Sequence, residues 1–125
     1  MKVRSAAKAA LKTFADELVQ ALEDLLRTER QQFGPMGKRT LRNFAQLQRL
    51  QDGLVAIGAQ GLDPLLRSFA ATYRGDSSTE FWAYRDVLWR LNDVDLSELV
   101  DHPDLAVRDL ITDAISVRAT RSGDA

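Results

Sequence analysis

The stretch Ser5–Phe33, SAAKAALKTFADELVQALEDLLRTERQQF, decides the fold class. Leu11, Phe14, Leu18, Leu22 and Leu25 recur at steps of 3 and 4, the spacing that stacks side chains on one face of a helix. Ala15, Val19 and Leu26 widen that face beyond a coiled-coil seam, as a globular core requires. Glu23 precedes Arg27 by one helical turn, the favourable order for a surface pair. Gly34-Pro35 follows, a left-handed terminator and a residue that cannot continue the ladder. The spacing predicts one long helix over 5–33.

The same reasoning carries outward. Leu41, Phe44, Leu47, Leu50, Leu54 and Ile57 predict a second helix over 40–57 with Thr40 as its N-cap, and Gly58 and Gly61 bracket a break. Asp63-Pro64 predicts the start of a third helix, Asp as N-cap and Pro at the first helical position; it carries Leu65, Leu66, Phe69 and Tyr73 to about Gly75. Ser77-Ser78-Thr79-Glu80 has capping-box form and opens a fourth helix over 78–92 with Phe81, Trp82, Tyr84, Val87, Leu88, Trp89 and Leu91. Asp95 caps a short fifth helix over 96–101, His102-Pro103-Asp104 makes a corner, and Val107, Leu110, Ile111, Ala114 and Ile115 define a sixth over 103–119. Residues 120–125 read as a frayed tail. No period-2 run of β-branched residues occurs. The expected architecture is all-α, a single domain over 1–125, built as a compact bundle or short stack of about six helices in antiparallel pairs.

Composition narrows the chemistry. The 125 residues suit one domain. Seventeen Lys and Arg oppose eighteen Asp and Glu, which excludes a generally basic coat but not a local basic patch. With no Cys and one His, a disulfide scaffold, a thiolate metal site and a His-rich metal centre are excluded. Lys8 and Lys12 interrupt the Ala-rich start, so it does not read as a signal peptide. No window has the apolar length of a membrane span. The expectation is a cytoplasmic protein that does not engage a membrane.

Leu96-Ser97-Glu98-Leu99-Val100-Asp101-His102-Pro103-Asp104-Leu105-Ala106-Val107-Arg108 resembles the HEAT-type helical repeat: a short helix, a turn like Asp-x-Pro-Asp, then Val-Arg and a second helix. Ala114 and Ile115 stand at that family's small and aliphatic core positions, whereas Ile111 departs from its usual Ala. Tyr84-Arg85-Asp86-Val87-Leu88 echoes Val107-Arg108-Asp109-Leu110-Ile111. The resemblance spans 96–115 and implies a geometry only, antiparallel helix pairs stacked side by side.

Other motifs fail on their own chemistry. Gly34 to Thr40 glances at a phosphate loop, but Gln32 and Arg39 stand where Gly and Ser/Thr are needed. A calcium loop from Asp93 would need Gly and Glu where Glu98 and Asp104 stand. Glu98 and His102 share a helical face but lack a third ligand. Asp95, Asp101 and Asp104 read instead as helix caps. Any nucleophilic relay would rest on His102 alone, and no Gly-x-Ser-x-Gly elbow occurs. No catalytic residue, metal site or cofactor is expected, and the chain reads as a non-enzyme.

Charge is segregated. Residues 1–62 hold ten Lys/Arg and six Asp/Glu, a sum of +4; residues 63–125 hold seven and twelve, a sum of −5. No acid lies between Glu29 and Asp52, while Arg30, Lys38, Arg39, Arg42 and Arg49 do. That patch suits an acidic protein surface, including another copy of this chain, or nucleic-acid phosphates. Trp82 and Trp89 share one side of the fourth helix with Arg85 between them, positioned to stack on either ring; Trp89 is expected in the core and Trp82 partly exposed. The function expected is a helical adaptor binding a protein partner or itself. The alternative is a small nucleic-acid-associated subunit using residues 30–49.

Overall fold

The computed structural model describes residues 2–33, 44–75 and 78–123, with side chains described for 9–31, 44–75 and 80–121. The elements run α1 (Lys2–Phe33), α2 (Phe44–Ile57), a 3-10 turn (Gly58–Gly61), α3 (Leu62–Thr72), α4 (Ser78–Leu88), a second 3-10 turn (Leu96–Leu99) and α5 (Leu105–Gly123). The described residues contain no strand. The all-α class is as expected, the count of six is not. Residues 44–72 follow one another without a loop, so four helical segments pack together: α1, the α2–α3 run, α4 and α5.

The junction inside 44–72 turns on Gly58. Its φ of 78° is left-handed and ends α2. The Asp93 carboxylate accepts the Ala59 N–H at 2.8 Å, fastening the junction to the turn after α4. Asp63 and Pro64 do not cap α3 as expected: the helix starts at Leu62, Gly61 holds the N-cap position, and Asp63 lies in the first turn.

α1 buries the expected face from Ala15 onward but not its first two members. Ala15, Val19, Leu22, Leu25, Leu26 and Glu29 are buried, whereas Leu11 is 42% and Phe14 52% exposed. Ala15 lies against Gly61 and Leu18 against Gly53, so α1 and α2 are antiparallel and the helices opposite α1 end near Ala15. Upstream, the described residues 9–14 are all exposed.

α3 and α4 are also antiparallel, with Tyr73 near Phe81 and Ser68 near Tyr84. The largest core side chains meet there: the Phe69 and Tyr84 rings cross edge-on at 5.2 Å, and Tyr73 stacks on Phe69 at 4.6 Å. Offset and edge-on aromatic pairs contribute about 0.5–1.5 kcal/mol each beyond area burial. Gln51, itself buried, donates to the Ala83 carbonyl at 2.8 Å and ties α2 to α4.

α4 is shorter than expected. Arg90 and Leu91 bond three residues back, to Val87 and Leu88, and Val94 bonds Leu91. This tightened chain pairs the Leu88 and Leu91 carbonyls, while those of Trp89 and Val94 have no backbone donor among the described residues. Arg118 of α5 supplies one: its guanidinium donates to the carbonyls of Trp89 (3.1 Å) and Val94 (2.9 Å) and adds a second donor to those of Leu88 (3.1 Å) and Leu91 (2.8 Å). The expected fifth helix, 96–101, is a single 3-10 turn, with Asp95 at its N-cap accepting from the Ser97 N–H at 3.1 Å. α5 runs on to Gly123, past the expected end near 119.

Contacts between α4 and α5 rise together, Arg85 with Asp113, Leu88 with Arg118 and Trp89 with Arg121. That order belongs to a parallel pair; α1–α2 and α3–α4 are the expected antiparallel pairs, and α5 lacks its expected antiparallel partner because 96–101 holds only the 3-10 turn. Among the described residues, no helix is long and apolar enough to cross a membrane.

Candidate interaction surface

The candidate residues fall in three places. Lys38, Arg39 and Arg42 lie outside the described residues, as do Gly34-Pro35, the Thr40 cap, the phosphate-loop-like segment 34–40 and Ser77 of the capping box. Arg49 is exposed on α2 and forms no ion pair among the described residues. Arg30 turns inward: its guanidinium meets the Glu80 carboxylate at 3.3 Å, with 19% and 9% of the two side chains exposed. Arg30 therefore holds α1 to α4 rather than contributing a free charge to a basic patch.

Trp82 and Arg85 come together on the outer face of α4. The Trp82 side chain is 49% exposed, and the Arg85 guanidinium carbon stands 5.8 Å above its ring. Two carboxylates fix that guanidinium, Asp113 of α5 at 3.0 Å and Asp86 at 3.2 Å. Arg85 Nε is buried without a hydrogen-bond partner. The guanidinium is thus held in place beside the Trp82 ring, which lowers the entropy it loses on binding. Trp89 is half-buried against the core, with Arg121 5.2 Å over its ring.

A polar groove runs between α1 and α3. One cavity of about 210 Å³ is lined by Glu23, Arg27, Arg30, Arg74, Glu80 and Tyr84 among others. A shallower one beside it involves Asp16, Arg67 and Ser68. Its floor is a hydroxyl chain: Ser68 Oγ and Tyr84 OH lie 2.7 Å apart, and Thr72 Oγ1 donates to the Ser68 carbonyl at 2.8 Å. Burial pushes the Tyr84 phenol above its ordinary pKa, against the lowering effect of the Ser68 and Thr72 hydroxyls. No sequence signal announced this groove, because its members are scattered polar residues on separate helices.

The acidic residues after α4 are dispersed. Asp93 holds Ala59, Asp95 caps the 3-10 turn, and Asp104 accepts the Val107 N–H at 3.0 Å as the cap of α5. Hydrogen bonds from the Ser97 hydroxyl and amide hold the Asp95 carboxyl below its usual range. His102 belongs to the corner: its Nδ1 accepts the Asp104 N–H at 3.0 Å, and its carbonyl accepts from Arg108 Nε at 2.6 Å. Asp101 forms none of these caps and is exposed.

Among the described residues, the exposed large apolar side chains besides Trp82 are Leu11 and Phe14 on α1, Phe44 on α2, and Val100 and Leu105 at the corner where α5 begins. Comparison of the chain with family models, with curated proteins and with solved structures gives no match.

Proposed function

We propose that this chain is a non-enzymatic interaction domain that binds a protein, a separate partner or a second copy, through exposed aromatic and charged groups on its helices. The observation that carries this reading is half-exposed Trp82 with the Arg85 guanidinium over its ring, Arg85 being held by Asp86 and Asp113. Trp and Arg in a fixed, partly desolvated setting are the residue types that dominate binding energy at protein interfaces.

A photo-crosslinking residue at position 82, introduced in the source cell, tests the reading. A discrete crosslinked protein that disappears in an Arg85→Ala background is expected. Absence of any specific crosslink at 82 would remove Trp82 as a binding anchor.

A further inference from the structure

The cavity between α1 and α3 has a ligand chemistry of its own. Its volume, about 210 Å³, lies below the ~300–1,000 Å³ of pockets that take drug-sized molecules, so it suits a small metabolite. Five charged side chains line it: Glu23, Arg27 and Arg30 of α1, Arg74 just past the end of α3, and Glu80 of α4. Three of these hold partners in the protein. Arg30 meets Glu80 at 3.3 Å, and Arg27 meets Asp24 at 2.8 Å. Glu23 and Arg74 form no hydrogen bond or ion pair among the described residues. With Asp24 counted, the charges around the cavity cancel, and Asp16 and Arg67 of the adjoining shallower cavity cancel as well. The balance favours neither a bare anion nor a bare cation.

One carboxylate and one guanidinium, carried by different elements around the same space, are thus available to a ligand. Burial raises the Tyr84 pKa, and the Glu23 and Glu80 charges add to that rise; the Glu23 carboxylate therefore stands near the hydroxyl floor of the cavity. Leu26 and Ala71 add an apolar wall. The Arg30–Glu80 pair, with 19% and 9% of its side chains exposed, fixes one end of the lining before any ligand enters, which reduces the ordering cost of binding. Within a partly enclosed space, opposite charges attract more strongly than in open water.

We propose that this cavity binds a small zwitterion, an α-amino acid with an aliphatic side chain, its ammonium on Glu23, its carboxylate on Arg74 and its side chain against Leu26 and Ala71. The site shares no residue with the Trp82 surface, so the crosslink at position 82 tests the interaction domain independently of this site.

Amide shifts of the isotope-labelled full chain test this with three probes of one aliphatic skeleton: L-leucine, isoamylamine, which lacks the carboxylate, and isocaproate, which lacks the ammonium. L-leucine should give saturable shifts around Glu23, Ala71 and Arg74, half-saturated at or below about 10 mM. Isoamylamine and isocaproate should each bind about tenfold more weakly or worse, because each meets only one of the two charges. Glu23→Gln should weaken L-leucine about tenfold but not isocaproate. Arg74→Gln should weaken L-leucine and isocaproate but not isoamylamine. Circular dichroism checks that both variants keep their helicity. No saturable shift with L-leucine overturns the inference. Isocaproate binding as tightly as L-leucine would make the cavity an anion site, and isoamylamine doing so would make it a cation site; either result overturns the inference, as does L-leucine binding that neither substitution weakens. The comparison of probes needs wild type alone, so it refutes or supports the inference even where a variant unfolds.

Discussion

Replacing Arg118 by Met keeps much of the aliphatic stem and removes the guanidinium. The carbonyls of Trp89 and Val94 then lose the donor they have among the described residues, and those of Leu88 and Leu91 lose a second donor but keep the N–H groups of Leu91 and Val94. A hydrogen bond to a charged group contributes about 1.5–3 kcal/mol. The four share a single donor group, and a partly buried site admits some water once it is gone, so the bonds do not add in full. Against the loss stands the rotamer freedom returned to the side chain, about 2 kcal/mol for Arg. The net expectation is about 2–3 kcal/mol of destabilisation, a sizeable part of the 5–15 kcal/mol typical of a domain. Arg118→Lys keeps the charge near the C-terminal end of α4, where the helix dipole favours it, but its point-like ammonium does not match the four-way geometry. It should retain about half of the loss. Urea unfolding followed by far-UV circular dichroism, with the slope checked for constancy, measures both variants. A cost for Arg118→Met below about 0.5 kcal/mol would refute the reasoning and place Arg118 among ordinary surface charges.

Gly58→Ala should cost about 2–4 kcal/mol, since φ of 78° disfavours a Cβ and the new methyl would stand 2.7 Å from Asp93 Oδ2; adding Asp93→Ala should recover part of that cost in chemical denaturation, and strict additivity would refute the clash. Tyr84 is kept neutral by burial, so its contribution is complete below pH 10 and declines as pH rises through the folded-state pKa, which lies above that value. Alkaline melts should therefore show steeper loss of stability above pH 10 in wild type than in Tyr84→Phe, which itself costs about 1–2 kcal/mol at neutral pH through the stranded Ser68 hydroxyl. Trp89→Ala should lower stability by about 2–3 kcal/mol, less than a fully buried ring, while Trp82→Ala should stay within about 1 kcal/mol. Thermal melts rank the two, and an equal cost would show that Trp82 is a core residue.

Several features of this fold were legible in the residues themselves because their causes act within one helical turn. The 3.6-residue periodicity of α1, the break at Gly58, and the caps by Asp95 and Asp104 each depend on neighbours no more than a few positions away. The partial exposure of Trp82 was legible too, since it sits near the start of α4, and so was the reach of Arg85 to its ring one turn back. Other features have no local cause. Leu11 and Phe14 carry the same periodicity as Leu22 and Leu25, yet they are exposed, because the helices opposite α1 end near Ala15. Arg30, at the head of what reads as a basic stretch, is drawn inward by Glu80, fifty positions away. Arg118 and Asp93 look like any surface charge until the chain folds; one then closes the end of α4 and the other fixes the α2–α3 junction. A charge's role depends on whether unpaired backbone groups lie within hydrogen-bond reach, and which groups those are is decided when distant helices pack, not by the residues beside it in the chain.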